Sequence, residues 1–280
     1  MKFAQIGAAG AEQPVLVHEG RHYALSSLTP AVDGNFLSQG GPAAAAAALA
    51  AGTLPEVSAA GVRYGAPVAR PSAVICVGLN YAAHAAESGA EPPAHPVIFL
   101  KTPNTVGGPD DAVGIPRGST RTDWEVELGV VIGRRASYLE STEEARDHIA
   151  GFVVVDDLSE RDFQLNVSGG QWSKGKSSPG FCPTGPYLVT PEEVDAGQLR
   201  LRSWVNGELR QDSSTADMIF DVATIVWNLS QYMVLEPGDL ICTGTPEGVA
   251  LSGRFPYLKA GDVVEIEIEG LGRQRHEFVA

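Results

Sequence analysis

From Ser72 onward the chain is a series of short apolar runs punctuated by glycine and proline. Val74–Gly78, Val97–Leu100, Val126–Ile132, Gly151–Val155, Leu199–Val205, Leu240–Thr243 and Val263–Ile268 each have the length and β-branched content expected of a strand. Asn206-Gly207 separates two alternating runs, and both turn positions of such a hairpin need positive φ. Pro237-Gly238-Asp239 and Ala260-Gly261-Asp262 repeat a turn-then-strand arrangement. Helical periodicity is confined to about Asn80–Glu87, Thr142–Ala150 and Ala216–Met233. In the last of these Ile219, Val222, Ile225, Val226, Leu229 and Met233 make an apolar stripe that belongs in a core. Many strands with scattered helices predict a β-rich α+β fold and not a doubly wound sheet.

The first 66 residues read as a smaller unit. Strand-like pieces at Met1–Ile6, Val15–His18 and His22–Ala24 lead into an alanine-rich helix with Pro42 at its start and Gly52 past its end. Gly65–Pro71 then reads as a linker, so the expected division is a small N-terminal α/β domain over 1–66 and a catalytic domain over 67–280.

Composition narrows the class. Twenty basic against 34 acidic residues give a net charge of −14, which argues against a protein that coats phosphates with a basic face. No apolar run reaches the length of a membrane span, and MKFAQIGAAGAEQP lacks the apolar core of a signal peptide. Cys76, Cys182 and Cys242 are odd in number and widely spaced, which suggests neither a disulfide framework nor a zinc knuckle. A reducing cytoplasm fits this pattern.

Gly170-Gln-Trp-Ser-Lys-Gly-Lys176-Ser177 satisfies the P-loop pattern. That pattern has meaning only where a strand feeds the loop and a long helix leaves it. Here the exit is Ser177-Ser-Pro179-Gly180, which cannot begin such a helix, and the nucleotide reading is rejected.

The chemistry concentrates elsewhere. In Asp123-Trp-Glu125-Val-Glu127-Leu the two glutamates share one face of a strand. Adjacent carboxylates repel unless a cation lies between them or one is protonated. Taken alone, such a pair is more often a solvated strand face. Asp157, beyond the buried-looking run Phe152–Val155, adds a third hard oxygen donor, and that set suits Mg²⁺ or Mn²⁺ better than zinc. His84 and Glu87, at i,i+3 on a helix, have the spacing of a histidine base oriented by a carboxylate. A third group, Arg161 and Gln164 followed by Lys176, could hold a substrate carboxylate or an oxyanion, although ordinary surface charge would look the same.

Taken in series, Gly78-Leu-Asn-Tyr-Ala-Ala-His84-Ala-Ala-Glu87, Phe99-Leu-Lys101, Asp123-Trp-Glu125-Val-Glu127, Asp157-Leu-Ser-Glu-Arg161-Asp-Phe-Gln164, Gly175-Lys176-Ser177 and Thr243-Gly-Thr245-Pro-Glu-Gly-Val resemble the fumarylacetoacetate hydrolase superfamily over about residues 72–280. The resemblance implies a mixed β-sandwich roll with a small N-terminal domain, usually as a homodimer. It implies Glu125, Glu127 and Asp157 as ligands of Mg²⁺ (or Mn²⁺), with Asp156 the lesser candidate, and His84 and Glu87 as the water-activating dyad, with Lys176 also catalytic. Arg161, Gln164, Thr245, Tyr81 and Lys101 would surround a small anionic 2-oxo acid. The activity implied is cleavage of a C–C bond in a 2,4-dioxo acid, an acylpyruvate or 2,4-diketo-3-deoxy sugar acid, releasing pyruvate through an enolate held on the metal. Oxaloacetate-type decarboxylation and dioate isomerisation are the alternatives. Ser178-Pro179-Gly180-Phe181 departs from the acid and Thr-Phe that many members carry after the Gly-Lys-Ser segment, a difference that bears on the shape of the substrate pocket.

Overall fold

A computed structural model describes residues 1–280. Two sheets carry the architecture. The larger has ten strands in the order Glu56–Val57, Arg21–Ala24, Gln13–His18, Lys2–Ile6, Leu188–Val189, Ile149–Asp156, Val126–Ile132, Leu240–Cys242, Val74–Gly78 and Val97–Lys101. It is antiparallel except where Leu240–Cys242 runs parallel to Val74–Gly78. The smaller sheet orders Glu208–Ser214, Arg200–Val205, Val263–Ile268, Gly272–Val279 and Val113–Gly114. The fold is strand-rich α+β, as the sequence pattern predicts.

Alternation along Val126–Ile132 divides the core. Val126, Leu128, Val130 and Ile132 enter a large apolar cluster shared with Leu201, Val264, Ile266 and Ile268 of the smaller sheet. Val131 faces a second cluster with Phe3, Leu16 and Phe36. Burial on both faces explains why this strand is almost continuously apolar. The strands before residue 67 extend the large sheet through Lys2↔Val189 and Phe3↔Leu188, so they share both sheet and core with the residues that follow. The three cysteines are free and buried in that second cluster, and Cys76 is the register partner of Cys242.

Local chemistry accounts for the element boundaries. Asn206 and Gly207 have φ of 52° and 79°, the hairpin geometry that this pair predicts. The helix expected over Ala216–Met233 is shorter, Val222–Ser230, because Asp221 caps it by accepting from the Thr224 amide; a 3₁₀ turn, Thr215–Asp217, precedes it. The helix expected to reach Ala150 stops at Arg146, because the strand Ile149–Asp156 claims the following residues for pairing with Val126–Ile132. The strand Gly272–Val279 has no counterpart among the expected strands. It buries Gln274, His276 and Phe278 while exposing charged residues between them, so its inward face is mostly polar and hides the period.

A candidate metal-assisted active site

Glu127 is the second residue of the central strand, and Glu125 precedes that strand on the same face. The ladder continues past the strand, since the Asp157 amide donates to the Glu125 carbonyl at 3.0 Å. This brings Asp157, just beyond Ile149–Asp156, beside the glutamates. Oxygens of Glu125, Glu127 and Asp157 all lie within 4.8 Å of one another and are buried.

Three cations hold this acidic cluster. Lys176 Nζ donates to Glu125 Oε2 at 2.6 Å and to Asp157 Oδ2 at 2.8 Å. Lys101 Nζ donates to Asp157 Oδ1 at 2.5 Å and to the Leu158 carbonyl at 3.0 Å. Arg161 pairs with Glu125 Oε1 at 2.7 Å, donates through Nε to Asp123 Oδ2 at 2.8 Å, and meets the Gln164 amide oxygen at 3.0 Å. Asp123, two residues before Glu125, carries no chemical signal of its own in the sequence. It also accepts from the amides of Ala250 and Leu251, and so ties Arg161 to the loop after Thr245. Only its burial, invisible in sequence, reveals that role.

The electrostatics follow from this crowding. Burial raises the Glu125 carboxyl, but Lys176 and Arg161 outweigh it and bring the group down to about 2. Burial together with the neighbouring Asp157 and Glu125 pushes Glu127 well above the usual carboxylate range, although Glu127 accepts from the Gly244 amide at 2.9 Å. Burial opposes the charge on Lys176, but Asp157 and Glu125 overcome it and raise the group. Four carboxylates therefore face three cations in a buried space. A divalent cation with oxygen preference fits the three converging oxygens, relieves the repulsion felt by Glu127, and leaves one positive charge for an anionic ligand.

Two glycines make this geometry accessible. A Cβ on Gly175 would lie 2.4 Å from the Gln164 amide nitrogen and the Glu160 carbonyl oxygen, so the four-residue helix Ser173–Lys176 can press against Arg161–Leu165 only with glycine there. Gly244 has φ of 97°, which lets its amide turn towards Glu127. The P-loop match thus resolves into a short turn that delivers Lys176 to carboxylates.

The helix Ala82–Glu87 carries the second group. His84 Nδ1 lies 3.1 Å from Glu87 Oε1, and Glu87 also accepts from the Gly248 amide and from Arg254 at 2.6 Å. Burial raises Glu87, but His84, the Gly248 amide and Arg254 outweigh it and lower the group below its ordinary value. The sequence does not single out Arg254, because a half-exposed arginine far along the chain carries no local signal.

One cavity of about 270 Å³ joins both groups. His84, Glu87, Glu125, Glu127, Arg161, Gln164, Lys176 and Thr245 all line it, along with Val77, Leu79, Phe99, Leu165 and Trp172. Thr245 is fixed by donating to the Val126 carbonyl and accepting from Gln211. Lys101 stands behind Asp157, outside the lining, and Tyr81, the residue that opens the helix, is buried with an unpartnered hydroxyl, also outside it. Asp156 points away from the cluster: it accepts from the Glu125 amide at 2.9 Å, and its other oxygen lies 3.7 Å from His276 Nε2.

Comparison with known proteins shows what the chain as a whole is similar to. Residues 73–279 match the C-terminal domain of fumarylacetoacetate (FAA) hydrolase. A 2,4-didehydro-3-deoxy-L-rhamnonate hydrolase of Sphingomonas sp. (strain SKA58) is 44% identical, over 99% of this chain and 95% of that protein. The structure of 2-hydroxyhepta-2,4-diene-1,7-dioate isomerase from Mycobacterium marinum is 34% identical with a TM-score of 0.78, covering 100% of this chain and 98% of that one. Maleylpyruvate hydrolase from Sphingobium sp. SYK-6, solved with manganese(II) and pyruvate, is 28% identical with a TM-score of 0.81, covering 100% and 99% of the two chains. No helix of this chain is long and apolar enough to cross a membrane. The chain belongs to the fumarylacetoacetate hydrolase family.

Proposed function

We propose that this protein is a divalent-metal-dependent hydrolase that cleaves the C–C bond between C3 and C4 of a 2,4-dioxo acid, an acylpyruvate or a 2,4-diketo-3-deoxy sugar acid, and releases pyruvate. The observation that carries this reading is that the His84–Glu87 pair and the Glu125, Glu127 and Asp157 cluster line or adjoin one small cavity. A base for water and a site for a Lewis acid then face the same substrate. The sugar-acid hydrolase relative and the pyruvate held by the maleylpyruvate hydrolase support the substrate class.

Glu125, Glu127 and Asp157 would hold Mg²⁺ or Mn²⁺, which supplies polarisation of the 2-oxo group and stabilises negative charge developing at C3. His84 Nε2 takes a proton from water as its oxygen attacks the C4 carbonyl. Glu87, kept ionised by Arg254 and the Gly248 amide, accepts from Nδ1–H and fixes the tautomer. Gln164 has its amide oxygen engaged by Arg161, so its amide nitrogen is free to donate to the C4 oxyanion. Lys176, with two of its three protons on carboxylates, has one left for the same task. Collapse of the oxyanion breaks C3–C4, leaving a carboxylic acid and the three-carbon enolate, which takes a proton to become pyruvate. The reading includes a cytoplasmic location and a homodimer, the latter tested by light scattering coupled to size exclusion.

The dioate isomerase neighbour favours a second reading, in which no water enters the product. Pyruvate release from acetylpyruvate, with Mg²⁺, with Mn²⁺ and with EDTA, alongside oxaloacetate, separates the two. Metal-dependent release from acetylpyruvate is the expected result. Turnover of oxaloacetate alone would move the protein to the decarboxylases, and no pyruvate from either substrate would favour the isomerase reading.

A further inference from the structure

We infer that the acyl group beyond C4 of the substrate is uncharged, and that Trp172 is a specificity-determining residue that enforces this. The inference rests on the hydrolase reading above and deepens it.

Depth in the cavity sorts its lining by chemistry. Glu125, Glu127, Arg161 and Lys176 are 1–4% exposed and form the floor. Leu165, at the far end of the helix that carries Arg161 and Gln164, is 45% exposed and sits at the mouth. Between them stands an aromatic wall. Phe99 and Trp172 meet edge to face at 5.6 Å, and the Lys176 ammonium lies 5.0 Å from the Phe99 ring centroid. Trp172 is seated on bare backbone, since a Cβ on Gly78 would come within 2.4 Å of its ring. The wall therefore begins where the floor ends.

A 2,4-dioxo acid spans this gradient in one direction. Its carboxylate and 2-oxo group belong with the cations and metal ligands of the floor, so whatever follows C4 runs along Phe99 and Trp172 towards Leu165. A second carboxylate there would lose part of its hydration without gaining a cationic partner, a cost that an uncharged chain avoids. The only lysine or arginine side chains in the lining are Arg161 and Lys176, both committed at the floor. Outside the lining, Arg254 is paired with the lining residue Glu87 at 2.6 Å, and Lys174, two residues from Trp172, donates to the Val167 carbonyl at 2.8 Å. The cavity thus discriminates between monoanionic 2,4-dioxo acids, which it admits, and dianionic ones such as fumarylpyruvate.

The test measures kcat/KM for acetylpyruvate and for fumarylpyruvate with saturating Mg²⁺, in the parent protein and in Trp172→Lys and Leu165→Lys. The expected result is a preference for acetylpyruvate of about ten-fold or more, the scale on which pocket mismatches act, narrowed or reversed by either lysine and mainly through KM for fumarylpyruvate. The two variants guard against one failing to fold. Equal or better use of fumarylpyruvate by the parent, or a ratio unmoved in both folded variants, overturns the inference while leaving the hydrolase reading in place. Absence of pyruvate from both substrates with the parent overturns the hydrolase reading, and this inference with it.

Discussion

Lys176 and Glu125 form a 2.6 Å ion pair in which neither side chain is more than 6% exposed. Two charges withdrawn from water in this way are held only because each has further partners: Asp157 for the lysine and Arg161 for the glutamate. The lysine occupies oxygens that a metal would also use. Replacing Lys176 with Met should therefore separate two effects. Divalent-metal affinity, read by calorimetry, should hold or tighten, because a competing cation is gone. Turnover should fall by about 100-fold or more, as removal of an oxyanion donor does elsewhere.

Glu127 carries the opposite imbalance, being pushed towards its protonated form by burial and by Asp157 and Glu125. Glu127→Gln should leave the metal-free protein at least as stable as the parent, since it removes a source of repulsion. It should also abolish the rise in Tm that Mg²⁺ or Mn²⁺ gives the parent. That rise corresponds to about 2.7 kcal/mol at a metal concentration 100 times Kd. Thermal scans of both proteins with and without metal make the comparison.

His84 and Arg254 both contact Glu87, and in the proposed mechanism His84 acts on the attacking water directly while Arg254 acts only through Glu87. His84→Ala should abolish acylpyruvate hydrolysis and spare decarboxylation of oxaloacetate, which needs no attacking water. Equal activity on acetylpyruvate would overturn the base assignment. Arg254→Ala should lower kcat for hydrolysis by roughly ten-fold with little change in KM, and Arg254→Lys should restore part of it, because the ion pair is half-exposed and orients rather than reacts. Steady-state kinetics on both substrates tests each claim.

His276 is fully buried, its ring nitrogens have no hydrogen-bond partner, and burial lowers its pKa from 6.5 to about 3. A histidine kept neutral by the fold takes up a proton in the unfolded chain first, so its contribution to stability is lost as pH falls from 6.5 towards 3. The neighbouring Asp156, raised well above 3.8 by burial, works in the other direction, because there the folded state is the one that holds the proton. The difference between parent and His276→Gln isolates the histidine. Between pH 7 and pH 5 the variant should lose roughly 2 kcal/mol less stability than the parent, measured as urea midpoints at each pH.

The sequence by itself determined the strand-rich class, most of the strands of both sheets, and the Asn206-Gly207 hairpin, because side-chain period and turn chemistry are local properties. It also placed Glu125 and Glu127 on one face, since alternation along a strand needs no tertiary information, and it dismissed the P-loop from the proline and glycine that follow it. The residues it named for the site lie in separate segments, and only the packing of those segments decided what each one touches. Lys176 reaches Glu125 because Gly175 allows two short helices to close on each other. Lys101 reaches Asp157 from the edge strand, whereas Tyr81 is buried at the start of the helix, outside the cavity. Asp123, Arg254 and Trp172 acquire their surroundings from segments distant in the chain, and the last strand conceals its period by burying Gln274 and His276. Such long-range contacts leave no local pattern, because the cost of burying a charge or a polar face is met by partners that only the fold brings near.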